Sequence, residues 1–206
     1  MRADNRDMAS DRIIDLYERR AGDYDRDRGR SLREREWLAR FLALVEPGGT
    51  VLDIGCGMGE PIARHLIDSG CTVTGIDSSA SLAALCRIRF PGHEWIVADM
   101  RQLALGRRFH GLIAWDSFFH LTMDDQRAMF ARFAAHARPG APLLFTSGSS
   151  KGEAIGDYHG EPLYHASLDP AEYETLLAAN GFTVCAFVPE DAGCGSHSVW
   201  LATSGA

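Results

Sequence analysis

Val51-Leu52-Asp53-Ile54-Gly55-Cys56-Gly57-Met58-Gly59-Glu60 is the stretch that decides the fold. A short apolar run, read as a strand over Thr50 to Ile54, meets three glycines at alternate positions and then a helix over about Glu60 to Ser69. Glycines there let the backbone turn sharply and approach a ligand closely. A dinucleotide-binding turn spaces its glycines as G-x-G-x-x-G, whereas this one reads Gly55-x-Gly57-x-Gly59. Asp53 can cap the turn through backbone amides. It can also set a carboxylate beside the cavity, which favours a cationic amine over a pyrophosphate.

Working outward, strands and helices alternate. Cys71 to Ile76, Glu94 to Ala98, Phe109 to Trp115 and Leu143 to Ser147 read as strands, with helices over Ser79 to Arg89 and after Thr122. Thr122 with Asp125 forms a capping pair, and Asp169-Pro170-Ala171-Glu172 starts a further helix. Two closing strands, Phe182 to Pro189 and Ser196 to Thr203, have only a short connection and read as a hairpin. The alternation predicts a mainly parallel sheet covered on both faces, with one antiparallel edge. Upstream, Ser10 to Val45 has a helical pattern, broken over the charged stretch Asp23 to Arg30. The whole, residues 1–206, reads as one domain: a helical cap over 1–45 and an α/β core over 46–206.

Charge narrows the partners. The net charge of −7 opposes nucleic acid and anionic membranes. Residues 1–40 hold 11 Arg against 10 acids, interspersed, which reads as solvated helix faces. No apolar run reaches the roughly 20 residues of a membrane span. Met1 to Asp7 carries mixed charges without the apolar stretch of a secretory leader, so the expected location is cytoplasmic. Five cysteines without a C-x-x-C pair argue against a disulfide framework and a structural zinc, and no metal is expected. No obligate protein partner is indicated.

Acids recur at strand ends. Val73-Thr74-Gly75-Ile76-Asp77 ends a strand in a carboxylate that can accept hydrogen bonds from both hydroxyls of a ribose. Asp77 can equally be a turn residue before Ser78-Ser79. Val97-Ala98-Asp99-Met100 ends the next strand in another acid, suited to the exocyclic amine of adenine or to starting the segment that follows.

On these residues the chain resembles the class I S-adenosylmethionine-dependent methyltransferases, small-molecule type, over about residues 40 to 203. Leu52-Asp53-Ile54-Gly55-Cys56-Gly57-x-Gly59 is similar to their first motif, and Leu112-Ile113-Ala114-Trp115-Asp116-Ser117 resembles their strand-four motif. The resemblance implies a Rossmann-like doubly wound sheet of seven strands in the order 3-2-1-4-5-7-6, strand 7 antiparallel. It implies S-adenosylmethionine as cofactor and S-adenosylhomocysteine as product. The implied cofactor contacts are Asp53, Gly55, Cys56, Gly57, Gly59, Asp77, Ser78, Asp99, Met100, Trp115 and Asp116, with Tyr17 and Tyr24 from an N-terminal helix. Cys56 reads as a small packing residue of the loop rather than a nucleophile.

The acceptor is expected to be a small organic molecule. His120 follows strand four and is the candidate catalytic base; a loop-fixing hydrogen bond is its other reading. Gly148 to Leu168 reads as a long glycine-containing loop that shapes the acceptor pocket through Tyr158, Tyr164 and His165, with His159 nearby. Asp116-Ser117-Phe118-Phe119 lacks the prolines of the family's DNA-base and glutamine methylases. Two other functions share some features: a nicotinamide-dependent oxidoreductase, and a regulatory protein that binds S-adenosylmethionine without turnover.

Overall fold

The computed structural model describes residues 10–205; the reading of Met1 to Asp7 lies outside the described residues. Two short helices, α1 (Ile13–Arg19) and α2 (Ala21–Asp27), precede α3 (Arg35–Leu42). The core then runs β1 (Thr50–Ile54), α4 (Ile62–Asp68), β2 (Thr72–Asp77), α5 (Ala80–Arg89), β3 (Glu94–Val97) and β4 (Gly111–Ala114). It continues with α6 (Met123–His136), β5 (Pro142–Ser147), a pair β6 (Gly152–Tyr158) and β7 (Glu161–Ser167), α7 (Pro170–Ala179), β8 (Phe182–Asp191) and β9 (His197–Ser204).

Seven strands form one sheet in the order β3-β2-β1-β4-β5-β9-β8. β9 runs antiparallel to both neighbours, and the other pairings are parallel. This is the expected topology of the Rossmann-like methyltransferase fold. The period-two alternation of strand side chains divides the core. Leu52, Ile54, Leu112, Ala114, Leu143, Phe145 and Trp200 face α6 and α7. Val51, Val73, Ile113, Leu144, Val199 and Leu201 face α3, α4 and α5. On the first face Phe118 meets Phe130, Phe145 and Tyr173 at centroid distances of 5.9, 5.5 and 6.2 Å.

Caps bound the helices. Ser79 Oγ accepts from Leu82 N–H at 3.2 Å, and Thr122 Oγ1 from Asp125 N–H at 3.2 Å, so each helix starts where its cap satisfies an orphan amide. Gln126 is wholly buried on α6. Its amide donates to the carbonyls of Leu121 and Ala166, and its Oε1 accepts from the Tyr173 hydroxyl at 2.6 Å. One side chain thereby ties α6, β7 and α7 together.

Two expectations are corrected. The break anticipated over Asp23 to Arg30 is mostly helix: α2 continues to Asp27, held by Arg20 and Arg26 pairing with Asp23, and the chain leaves the helix at Arg28. Gly148 to Leu168 is not a loop but is dominated by the antiparallel pair β6–β7, in register from Gly152↔Ser167 to Tyr158↔Glu161. Its two-residue turn, His159-Gly160, has φ of 54° and 80°, the left-handed geometry that matches strand twist. β6 is exposed along nearly its whole length, so it shows no buried alternation for a pattern to reveal. Among the described residues no helix is long and apolar enough to cross a membrane.

Candidate active site

The strand order reverses between β1 and β4, and a cleft of about 790 Å³ opens there at the carboxyl ends of the strands. Of the residues read from sequence, Tyr17, Tyr24, Gly55, Gly57, Asp77, Ser78, Asp99, Met100, Asp116 and His120 line it. Residues from five separate segments converge on one space.

Each acid is held in place. Asp77 Oδ2 accepts the Gly57 N–H and Oδ1 the Ser79 N–H, both at 2.8 Å, so this carboxylate clamps the glycine loop to the start of α5. Burial pushes its carboxyl upward, against the opposing pull of those two amides. Asp99 accepts from Arg101 N–H and Nε–H, both at 2.8 Å. Asp116 sits at φ 48°, a left-handed conformation unusual outside glycine, and its N–H donates to Thr146 Oγ1 at 2.9 Å. Burial also raises the Asp116 carboxyl, while His197 and Arg28 oppose the rise.

The glycines divide by duty. A Cβ on Gly55, at φ +76°, would lie 2.3 Å from Ser117 Cβ, whose hydroxyl donates to the Ile54 carbonyl. A Cβ on Gly57 would meet the Tyr24 ring at 3.0 Å, so the aromatic lid rests directly on the loop. Gly59 instead makes room for Phe90, at 2.6 Å from a built Cβ, and does not line the cleft.

Three further expected contacts stand off the cleft wall. Alternation along β1 turns Asp53 to the side of Val51, where it is 3% exposed; burial, then the Asp77 charge, pushes it up to about 7. Trp115 is buried on that same face with Ile113. Cys56 packs against Gly75 and Cys86 beneath the loop, and its thiol is pushed well up.

Above the cleft, α1 and α2 form a lid. Glu18 accepts from Ser79 Oγ at 2.6 Å and from Ser81 Oγ at 2.7 Å, and Asp25 pairs with Arg89 at 2.8 Å. On the opposite flank the β6–β7 hairpin holds it: Glu161 pairs with Arg19 and Arg20, and His159 Nε2 meets Asp27 Oδ2 at 2.7 Å. Tyr17 and Tyr24 pack edge to face at 5.6 Å, and burial raises both phenols.

His120 has a defined tautomer. Its Nδ1 lies 2.8 Å from the Tyr164 carbonyl oxygen, which can only accept, so Nδ1 carries the hydrogen. Nε2 is then bare and accepts from the Tyr17 hydroxyl at 2.8 Å. Burial pushes the imidazole down to about 3, so it is neutral at pH 7.

The hairpin residues fare differently from expectation. Tyr164 is buried against Ala166 and Ile13 and contributes its carbonyl rather than its ring. Tyr158 lies against Tyr17 at 6.3 Å, outside the cleft lining, because its strand runs beside the lid. His165 lines a second cavity, of about 630 Å³, together with Phe119 and His197. Sequence reasoning missed Ile13, Leu82, Arg101, Ser117, Leu121 and Asp125 in the cleft. Ser117 closes the strand-four motif and Asp125 belongs to the capping pair with Thr122, so both were within reach; the others have no local signature.

Comparison with known proteins agrees with this fold. Residues 51–140 match a family described as a methyltransferase domain. The chain is 38% identical over 110 residues to dTDP-3-amino-3,6-dideoxy-alpha-D-glucopyranose N,N-dimethyltransferase from Streptomyces fradiae, covering 52% of this chain and 43% of that one. It thus spans less than half the length of that relative. Among solved structures, 1,6-didemethyltoxoflavin-N1-methyltransferase from Burkholderia thailandensis has TM-score 0.73 at 21% identity, over 100% of this chain and 92% of that chain. An S-adenosylmethionine-bound amino pentose methyltransferase from Micromonospora echinaspora has TM-score 0.69 at 20% identity, over 92% and 96%. Residues 51–140 thus resemble a methyltransferase domain, and the sheet as a whole has the Rossmann-like fold of these solved methyltransferases.

Proposed function

We propose that residues 1–206 form one methyltransferase domain, cap 1–45 on core 46–206, that methylates a small organic acceptor with S-adenosylmethionine. The observation that carries this is the cleft at the β1/β4 reversal, with Asp77, Asp99 and Asp116 at its strand ends and Tyr17 and Tyr24 above it. The residues fit the cofactor. Asp77 spends one acceptor site per oxygen on the loop amides, and each carboxylate oxygen has a second to offer a ribose hydroxyl. Asp99 with Met100 bounds the adenine end, Gly55 and Gly57 allow close approach, and Asp116 faces the cationic end. Ser78 closes the side by α5. Asp53, Cys56, Gly59 and Trp115 support the loop from behind.

The bound cofactor supplies a sulfonium methyl whose leaving group is a neutral thioether. The protein's work is therefore positioning and exclusion of water. Tyr17 and His120 orient the acceptor's N–H or O–H group. A buried imidazolium is disfavoured, so His120 acts as a hydrogen-bond acceptor more than as a proton sink. Amino-sugar and heterocycle methylation by the relatives supports a small acceptor. The unpaired cysteines suit a reducing cytoplasm.

Thermal unfolding with S-adenosylhomocysteine and, separately, NAD(H) tests the reading. A ligand at about 100 times its Kd adds about 2.7 kcal/mol, a clear rise in Tm. Stabilisation by the adenosyl compound alone is expected; stabilisation by NAD(H) alone overturns the assignment. Formation of S-adenosylhomocysteine with an accepted substrate separates an enzyme from a silent binder.

A further inference from the structure

Asp99 is gripped at both of its oxygens by one residue. It opens a single turn of 3₁₀ helix, Met100–Gln102, and its Oδ1 accepts the Arg101 N–H at 2.8 Å. Its Oδ2 accepts the Arg101 Nε–H at 2.8 Å, and Nη2 of the same guanidinium lies 2.7 Å from that oxygen. The first bond caps the turn, and any residue but proline would supply it. The guanidinium adds nothing to the backbone of the turn, so its planar fork serves the carboxylate itself.

Charge points the same way. Among the described residues that line the cleft, Arg101 is the one arginine or lysine, against the carboxylates of Asp77, Asp99, Asp116 and Asp125. A free cation there would repel a sulfonium ligand. Arg101 is instead neutralised between Asp99 and Asp125, whose Oδ2 is 3.9 Å from its Nη1. The turn behind it is anchored by Leu103, which is buried and whose carbonyl accepts from Arg132 at 3.2 Å. Each carboxylate oxygen has two acceptor sites. The guanidinium occupies Oδ2 and the turn amide takes one site of Oδ1, so one site on Oδ1 remains. Its direction is fixed, because a carboxylate held at both oxygens does not turn about its Cβ–Cγ bond.

We propose that Arg101 is a positioning residue that makes Asp99 selective for the 6-amino group of adenine over a 6-oxo purine. The amino group donates to the remaining site, whereas a 6-oxo group only accepts and would face an oxygen that also only accepts. A 6-oxo purine carries a hydrogen on the adjacent ring nitrogen, and a carboxylate free to turn could take it. Held by the fork, Asp99 stays aimed at the exocyclic position. The inference rests on the methyltransferase reading, in which Asp99 meets the adenine, and adds the residue that aims it.

Isothermal titration of the full chain with S-adenosylhomocysteine and with its deaminated analogue, S-inosylhomocysteine, reads the selectivity as a ratio of Kd values. Wild type is expected to favour the adenosyl compound about a hundredfold or more. Arg101→Leu is expected to lower that ratio about tenfold, with ligand-free Tm reporting that it is folded. Arg101→Lys keeps the charge without the fork and is expected to lower the ratio likewise. In an Asp99→Asn background, adding Arg101→Leu is expected to leave the ratio within about threefold, since Arg101 acts only through the carboxylate. A wild-type ratio in Arg101→Leu, its restoration by Arg101→Lys, or an equal loss in the Asp99→Asn background would each overturn the proposal. A wild type that does not bind S-adenosylhomocysteine refutes the cofactor reading, and one that binds both compounds equally refutes the adenine role of Asp99; the proposal falls with either.

Discussion

Replacing Asp77 by Asn separates its two duties. In the folded chain its oxygens hold Gly57 N–H and Ser79 N–H at 2.8 Å each. The proposed role adds two ribose hydroxyls. An Asn offers one oxygen and turns an NH₂ group toward one of those amides, so one loop bond is lost and only one oxygen remains to accept. Charged hydrogen bonds contribute about 1.5–3 kcal/mol each and neutral ones about 0.5–1.5, so losing one ribose bond and the charge of the other weakens binding by about 2–4 kcal/mol, or roughly 30- to 10³-fold in Kd. Without ligand the change is smaller. The lost loop bond costs about 1–3 kcal/mol, and removing a buried charge whose carboxyl is already raised by burial offsets part of it. Isothermal titration with S-adenosylhomocysteine reads the first quantity and ligand-free thermal unfolding the second. A variant that binds within threefold of wild type, with Tm unchanged, refutes the ribose assignment.

Asp53 should make the ligand-free protein lose stability as pH rises. Its folded value of about 7 exceeds its unfolded value near 4, so its contribution is fully present below about pH 4 and is lost as pH rises through 7. About three units correspond to roughly 4 kcal/mol, and Asp53→Asn should flatten that slope in urea unfolding between pH 4.5 and 7.5; an unaltered slope counts against it. Gln126→Leu removes the side-chain donor to the Leu121 and Ala166 carbonyls, while the Tyr173 hydroxyl keeps its contacts with Ser167 and Leu168, and should cost about 1–3 kcal/mol by denaturant unfolding. Gly59→Ala, at φ +80° with its Cβ 2.6 Å from Phe90, should cost about 1–3 kcal/mol in the same assay. His120→Gln should leave the Kd for S-adenosylhomocysteine within threefold and reduce turnover about tenfold, with no pH-rate limb near 6.5 assigned to His120 in wild type; a limb there that the variant removes would restore a general-base role.

Local chemistry is legible in a linear chain when its cause is local. The Gly55-Gly57-Gly59 turn, the acids at Asp77 and Asp99, and the caps at Ser79, Thr122 and Asp169 are short-range devices. Their residue types are dictated by backbone geometry within a few positions. Strand and helix alternation determined the layered sheet, because parallel neighbours require crossovers. The sequence thereby determined the class of fold, the sheet edge at which the cleft opens and about half of the residues that line it.

What only the tertiary structure decided depends on partners far apart in the chain. Asp53 and Trp115 turned from ligand contacts into buried supports because strand alternation points them at the α3–α5 face, and no spacing rule says which face meets the cleft. His120 acquired its tautomer from the Tyr164 carbonyl 44 residues away and its partner from Tyr17, 103 residues away. The hairpin between β5 and α7 was invisible because its outer strand buries almost nothing, yet it grips the lid and walls the second cavity. Burial, pKa and cavity shape are properties of assembled neighbours, so they exist only once the chain has folded.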